Sequence, residues 1–167
     1  MNAREVERLY KEHGFRVYSR CMHLLKEEGA AMDIVQDTFV ALMRRPIEFP
    51  DEPRAVSWLL KVATNRCLNV FRHRKYWKTQ EYQDVLTPQT RGTLHDSGVA
   101  TDSLEDRGQF HEVLSGFKAR KASVIVSYFL EGKTLHEVAD ESGYSVPTVR
   151  RTLSAFLEAG ERKRKGT

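Results

Sequence analysis

Four side chains, Lys61, Asn65, Asn69 and Arg72, follow one another at intervals of four, four and three residues. On a helix that spacing sets them along one face. The face carries an ammonium, two carboxamides and a guanidinium, and no acid. The surrounding stretch 61–78 adds Arg66, Arg74, Lys75 and Lys78, again without an acid, and Trp58, Phe71, Tyr76 and Trp77 are interleaved with it. Cations hold phosphates, carboxamides read base edges, and aromatic rings stack on unpaired bases. A solvated basic face above core aromatics would use the same residue types, so the remaining elements must decide.

The helix that carries this face is expected over about 54–75, with Leu59, Val62, Ala63 and Val70 as its apolar stripe. Two amphipathic helices precede it. The first, about 4–27, keeps Val6, Leu9, Tyr10, His13, Val17, Cys21 and Leu24 at helical spacing, with Gly14 as a weak point and Gly29 as a left-handed cap. The second, about 30–44, turns Ile34, Val35, Phe39, Leu42 and Met43 inward and Asp33, Gln36, Asp37 and Val40 elsewhere. Residues 46–54 hold three of the five prolines and read as a rigid loop, with Pro53 near the start of the third helix, where a missing N–H costs nothing. These three helices can close a small bundle.

Residues 79–106 change character. Glu81, Asp84, Asp96, Asp102, Glu105 and Asp106 face Arg91 alone, and glycines and threonines break any apolar period, which predicts a flexible acidic linker. Helical patterning returns at 107–130. Phe110, Val113, Leu114 and Phe117 form one stripe, Gly116 interrupts it, and Ala122, Ile125, Val126, Phe129 and Leu130 form a second. Glu131-Gly132-Lys133 is a turn. Thr134 and Glu137 have the spacing of a capping box and open a short helix, 135–142, that ends at Gly143. Ser145 is an N-cap for a last helix, Val146 to about Glu161, with Pro147 in its first turn. Val149, Leu153, Phe156 and Leu157 are its inner face. Pro147, Thr148, Arg151 and Ser154 point outward, with Arg150 on the flank. Two helices around a glycine turn, the second exposing small polar and cationic residues at its start, have the chemistry of a helix-turn-helix. Such a start can enter a major groove and hold phosphate on its free N–H groups. The fold class is therefore all-α: two small helical domains, 1–78 and 107–167, joined by the acidic linker 79–106.

Composition narrows the function. A net charge of +4 permits a nucleic-acid partner. Cys21 and Cys67 lack CxxC spacing and read as buried free thiols of a reducing compartment. No apolar run is long enough to span a bilayer, and no signal-peptide core is present, which predicts a cytoplasmic protein without membrane insertion. His13, His23, His73, His95, His111 and His136 are dispersed, and HExxH, GxSxG and phosphate-binding glycine loops are absent. No catalytic residue, metal site or cofactor is expected. A stand-alone helix-turn-helix regulator, dimeric on a palindrome, is the main alternative left by the residues alone.

The runs Asp33 to Phe39, Ala55 to Asn69, Gly132 to Ala139 and Ser145 to Arg150 together resemble the bacterial sigma-70 family, in particular its small extracytoplasmic-function group. The resemblance covers about 5–75 and 108–163. It implies a sigma-2 domain and a sigma-4 domain, and partners that include core RNA polymerase (the β′ clamp and the β flap), promoter DNA and an anti-sigma factor. It matches Asp33, Gln36, Asp37 and Phe39 to the polymerase-contact motif and implies contacts at the first three, while the apolar spacing of the second helix places Phe39 in the core. It puts Lys61, Asn65 and Asn69 near the unpaired strand of the −10 element, with Arg72 and Arg74 on phosphates. It puts Ser145, Thr148, Arg150, Arg151 and Ser154 at the −35 element. Two departures stand out: Thr152 and Ala155 occupy positions where members often carry Arg, and the loop 46–54 is acidic for a DNA pocket. Arg66 lies near the apolar stripe, which predicts an ion pair with an acid of the second helix.

Overall fold

A computed structural model describes the backbone over residues 1–45, 47–79 and 104–166, with side chains over 1–45, 47–74 and 108–166. Among these residues all regular structure is helical: α1 Ala3–Leu25, α2 Glu28–Arg44, α3 Glu52–Thr79, α4 Leu104–Ser115, α5 Ala119–Phe129, α6 Leu135–Ser142 and α7 Val146–Lys165. Pro46, and 80–103 of the stretch read as a linker, lie outside the described residues. α4 begins at Leu104, inside that stretch.

The first three helices enclose one core. α1 opens on a capping box in which Asn2 Oδ1 accepts the Glu5 N–H at 2.9 Å and the Glu5 carboxylate accepts the Asn2 N–H at 2.9 Å. The helix runs unbroken through Gly14. It ends earlier than the glycine signal implies. Lys26, not Gly29, takes the left-handed conformation (φ 57°), and Gly29 lies within the first turn of α2. Only Lys26 and Glu27 separate the two helices, so the reversal has to fall on one of them. For a side-chain-bearing residue that conformation costs roughly 1–2 kcal/mol. Val17, Cys21, Leu24, Val35, Leu42, Leu59, Ala63 and Cys67 fill the interior, and both thiols are free and buried as expected. Tyr10 and Met43, expected inward, are largely exposed.

α3 has neighbours on two sides: α1 and α2 on one, α4, α5 and α6 on the other. That double packing explains why its buried arc is wider than one stripe and displaced from the expected one. Leu59, Leu60, Ala63, Thr64, Cys67 and Leu68 are all buried, whereas Val62 and Val70 are half-buried.

α4 to α7 enclose the second core. Phe156 lies between Phe110, Phe129 and Phe117, at ring-centroid distances of 5.1, 5.4 and 5.9 Å. Aromatic pairs at such distances add to simple burial. Val149, Leu153 and Phe156 line the inner side of α7 as expected, but Leu157 is 54% exposed. α7 continues to Lys165, and Lys163 pairs with Glu112 of α4, which fixes the far end of the long helix.

Candidate nucleic-acid interface

The last two helices are held at their junction by local chemistry. Thr134 and Glu137 form the expected capping box on α6, with the Glu137 carboxylate accepting the Thr134 N–H at 2.7 Å. Gly143 caps α6 at φ 71°, in the left-handed region that favours glycine. The Arg120 guanidinium of α5 lies 4.1 Å from the centroid of the Tyr144 ring and donates to the Ser142 carbonyl at 3.1 Å, so the turn is clamped from behind. Ser145 Oγ accepts the Thr148 N–H at 3.3 Å and caps α7. Ser145, Arg150, Arg151 and Ser154 are exposed and Thr148 is half-buried. This is a rigid helix start with two guanidinium groups on its outer side, and the Ser145 and Thr148 hydroxyls are bonded to each other at 2.9 Å. Thr152, one of the two departures, is only 4% exposed, and its hydroxyl donates to the Thr148 carbonyl at 3.0 Å. It faces the core. Ala155 is exposed.

The basic face of α3 is occupied differently. Lys61 and Asn65 are half-buried, and Asn69, Arg72 and Arg74 are exposed. Arg72 donates to the Ser115 carbonyl at 2.7 Å (Nη2) and 3.2 Å (Nε), and to Asn69 Oδ1 at 3.1 Å. Ser115 is the last residue of α4, where a cation is favoured by the helix dipole. Arg74 pairs with Glu27 at 3.3 Å, an exposed contact of little energetic weight. Arg72 and Arg74 therefore both touch protein groups here, and the first of these contacts joins the two halves.

α2 presents Asp33, Gln36 and Asp37 on its exposed side, while Phe39 is buried edge-on against Tyr10 at 5.1 Å. Met32, Val40 and Met43 are exposed too, and Met32, Gln36, Val40 and Met43 follow one another at spacings of four, four and three. The expected ion pair of Arg66 is present: Nη1 is 3.5 Å from Asp37 Oδ2.

The most strongly built polar cluster was not among the expected site residues. Arg20 of α1 has no exposed surface and crosses to the second half of the molecule. Its Nε and Nη2 grip both oxygens of Glu131, at 2.7 and 2.9 Å. Nη2 also donates to Glu141 at 3.1 Å and to Ser127 Oγ at 2.5 Å, and Nη1 donates to Ser123 Oγ at 2.5 Å. Ser123 and Ser127 sit one turn apart on α5, and their small side chains leave room for the guanidinium. Ser127 in turn donates to Glu141 at 2.8 Å. Lys133 pairs with both carboxylates, and Arg16 with Glu141. Burial pushes the Glu131 carboxyl up, but Arg20 and then Lys133 outweigh it and bring it down to about 2. Glu141 moves the same way: burial works against its charge, and Arg20 and Lys133 prevail. Bidentate geometry and satisfied donors are what a buried ion pair needs to offset its desolvation. A signal for this cluster exists in the sequence. Arg20 falls three residues after Val17 and four before Leu24, on the apolar stripe of α1, where a lone cation requires a partner. Its partners lie more than 100 residues away.

A second cluster, Glu12, His13 and Glu52, brings three candidate ligand atoms together where the middle of α1 meets the first residue of α3. Arg8 Nη1 lies 2.6 Å from Glu52 and 2.9 Å from Glu12, so a cation of the protein already occupies the centre of charge.

A basic, amide-bearing helix on one bundle and a capped helix-turn-helix on another are the features of a helical nucleic-acid-binding protein. Residues 9–76 match the sigma-70 region 2 family. The chain is 24% identical to the ECF RNA polymerase sigma factor SigL of Mycobacterium tuberculosis over 152 residues, covering 90% of this chain and 84% of that one. It is 23% identical to the ECF RNA polymerase sigma factor SigW of Bacillus subtilis over 160 residues, covering 90% and 82%. Its fold is similar to that of the sigma factor RpoE solved in complex with the anti-sigma factor NepR from Bartonella quintana, with a TM-score of 0.53, 16% identity and 98% of each chain covered. Over residues 9–76 the chain is similar to sigma-70 region 2, and over nine-tenths of its length it is similar to extracytoplasmic-function sigma factors. A region 2 unit is no part of a stand-alone helix-turn-helix regulator, and that alternative is set aside.

Proposed function

We propose that α3 and α7 are the two promoter-reading elements of a transcription initiation factor, and that the chain divides into a sigma-2 unit (1–78), a connecting stretch (79–106) and a sigma-4 unit (107–167). The factor directs core RNA polymerase to promoters. Asp33, Gln36 and Asp37 on the open side of α2 take the polymerase clamp, and the exposed Met32, Val40 and Met43 extend that face with apolar surface. The second half meets the β flap. Lys61, Asn65 and Asn69 read the separated −10 strand, with Arg72 and Arg74 on its phosphates. Arg150 and Arg151 at the head of α7 lead the −35 contacts, with Ser145, Thr148 and Ser154 beside them. Thr152 takes no part, because it is buried. Polymerisation belongs to the core enzyme, and the factor catalyses nothing itself. It acts in the cytoplasm, and an anti-sigma factor, of the kind bound in the RpoE complex, holds it in reserve.

The observation that carries this reading is the exposed, serine-capped start of α7 with its two guanidinium groups, in a chain whose other half bears the amide and cation face of α3. The test is reconstitution. Purified chain added to core polymerase should produce transcripts with shared −10 and −35 sequences upstream of their 5′ ends. Core polymerase that yields no promoter-directed RNA on genomic templates in its presence would overturn the reading.

A further inference from the structure

We propose that Cys21 and Cys67 are a redox pair, a modification site at which a hydroperoxide joins α1 to α3 by an intramolecular disulfide. The proposal stands apart from the promoter-reading function.

Three observations support it. The first is juxtaposition. The chain has two cysteines, far apart in sequence and on different helices. Folding brings them together in the core of the first bundle. Neither side chain has any exposed surface, and the Cys67 thiol donates a hydrogen bond to the Cys21 sulfur. Sulfurs already in hydrogen-bond contact need to close by only roughly 2 Å to reach the length of an S–S bond.

The second is asymmetry. The hydrogen bond from Cys67 draws the Cys21 thiol below its ordinary value; burial opposes this, and the charge of the neighbouring Arg20 supports it. The same bond holds the proton on Cys67, and burial adds to that. Arg20, whose clasp by Glu131 and Glu141 closes the seam between the two halves, is thus also a fixed cation beside a thiol. The thiolate is the nucleophilic form, and a neighbouring cation favours it. Cys21 is the attacking sulfur and Cys67 the resolving one.

The third is access. Cys21 lies one turn from the end of α1, which closes on the left-handed Lys26. Helix ends fray, and local opening costs less than global unfolding. On the opposite side of the same turns, Ser19 and His23 line a cavity of about 350 Å³, so this end of α1 is not packed on all sides. Hydrogen peroxide is little larger than water and needs only a brief opening.

The Cys21 thiolate attacks one oxygen of the peroxide. The O–O bond breaks, and the departing hydroxide takes up the proton that Cys21 has lost, which leaves a sulfenic acid and one water. The Cys67 sulfur then attacks the sulfenic sulfur. The S–S bond forms, the S–O bond breaks, and hydroxide leaves with the Cys67 proton as a second water. Each sulfur is oxidised by one electron and the peroxide is reduced by two. A dithiol reverses the bond by exchange.

The test uses the full chain, reduced and then exposed to hydrogen peroxide. Free thiols are counted by alkylation in denaturant, and peptides are mapped without reductant. The two alkylatable thiols should fall to none, with Cys21 and Cys67 linked within single chains, and dithiothreitol should restore both. The oxidised chain should melt about 5 °C or more above the reduced one, because the bond closes a long loop. In Cys67→Ala the reaction should halt at the sulfenic acid, which dimedone traps at Cys21. Trapping in Cys21→Ala should be about tenfold lower. Thiols that survive hours of peroxide, disulfides formed only between chains, a melting point that does not rise, or equal trapping in the two variants would each overturn the pair. The wild-type measurements need neither variant, so they decide the matter even if an alanine variant fails to fold.

Discussion

α3 and α7 present similar chemistry to solvent and owe it to different causes. The head of α7 is specified within a dozen residues: Thr134, Glu137, Gly143 and Ser145 each fix one end of a helix by a local hydrogen bond or a backbone conformation. Ser145, Arg150, Arg151 and Ser154 stay exposed because the inner side is filled by Val149, Leu153 and Phe156. The surface of α3 is set from outside. Which of its residues are open depends on α4, α5 and α6 packing over it, and on an arginine from a third helix. A local motif fixes its own exposed surface, whereas the exposed surface of a shared helix is set by whatever packs on it.

The largest effect that separates the two regions should come from Glu131→Ala. It strips a buried guanidinium of its bidentate partner, and loss of one member of a buried pair costs about 3–5 kcal/mol. Chemical denaturation should then resolve two transitions in place of one, with the α7 bundle melting on its own.

Acid should act at the same place. Glu131 titrates near 2 when folded, below its ordinary 4.5, so its contribution is complete above the unfolded value and is lost as pH falls through the folded one. About 3 kcal/mol should disappear between roughly pH 5 and pH 2. In Glu131→Gln that dependence should be reduced, which urea melts across the range can measure. If the two proteins show the same pH profile, the clasp is not where the stability lies.

Gly143→Ala joins both regions. It strains a left-handed turn by roughly 1–2 kcal/mol and displaces Arg54 from across the seam. Both the Tm and the DNA affinity should drop. Ser145→Ala removes only the cap of α7, about 1 kcal/mol, and should weaken duplex binding without opening the seam. Arg74→Ala should leave stability within about 0.5 kcal/mol, since its pair with Glu27 is exposed, and any loss of DNA binding then reflects its own contact.

The same contrast explains what was legible in the sequence. The bounds of α6, the cap at Ser145 and the pairing of Arg66 with an acid of α2 followed from spacing and residue type, because the groups involved are neighbours in sequence or lie on adjacent faces of one bundle. Glycine spacing points to Gly29 for the left-handed residue, but the tight connection puts the reversal on Lys26. Leu157 has core spacing yet is exposed, because Phe156 and its three ring partners complete the inner face without it. The glutamate and lysine of 131–133 read as an ordinary turn. Their role appears only once Arg20 arrives from 111 residues away, a contact that no local pattern encodes.

The central claim is that α3 opens and reads DNA and is not merely the scaffold between two bundles. Asn65→Ala tests it most directly, with permanganate reactivity of promoter thymines measured beside binding to core polymerase. The expected result is loss of promoter opening with polymerase binding unchanged. Equal loss of both would show that α3 holds the protein together and reads nothing.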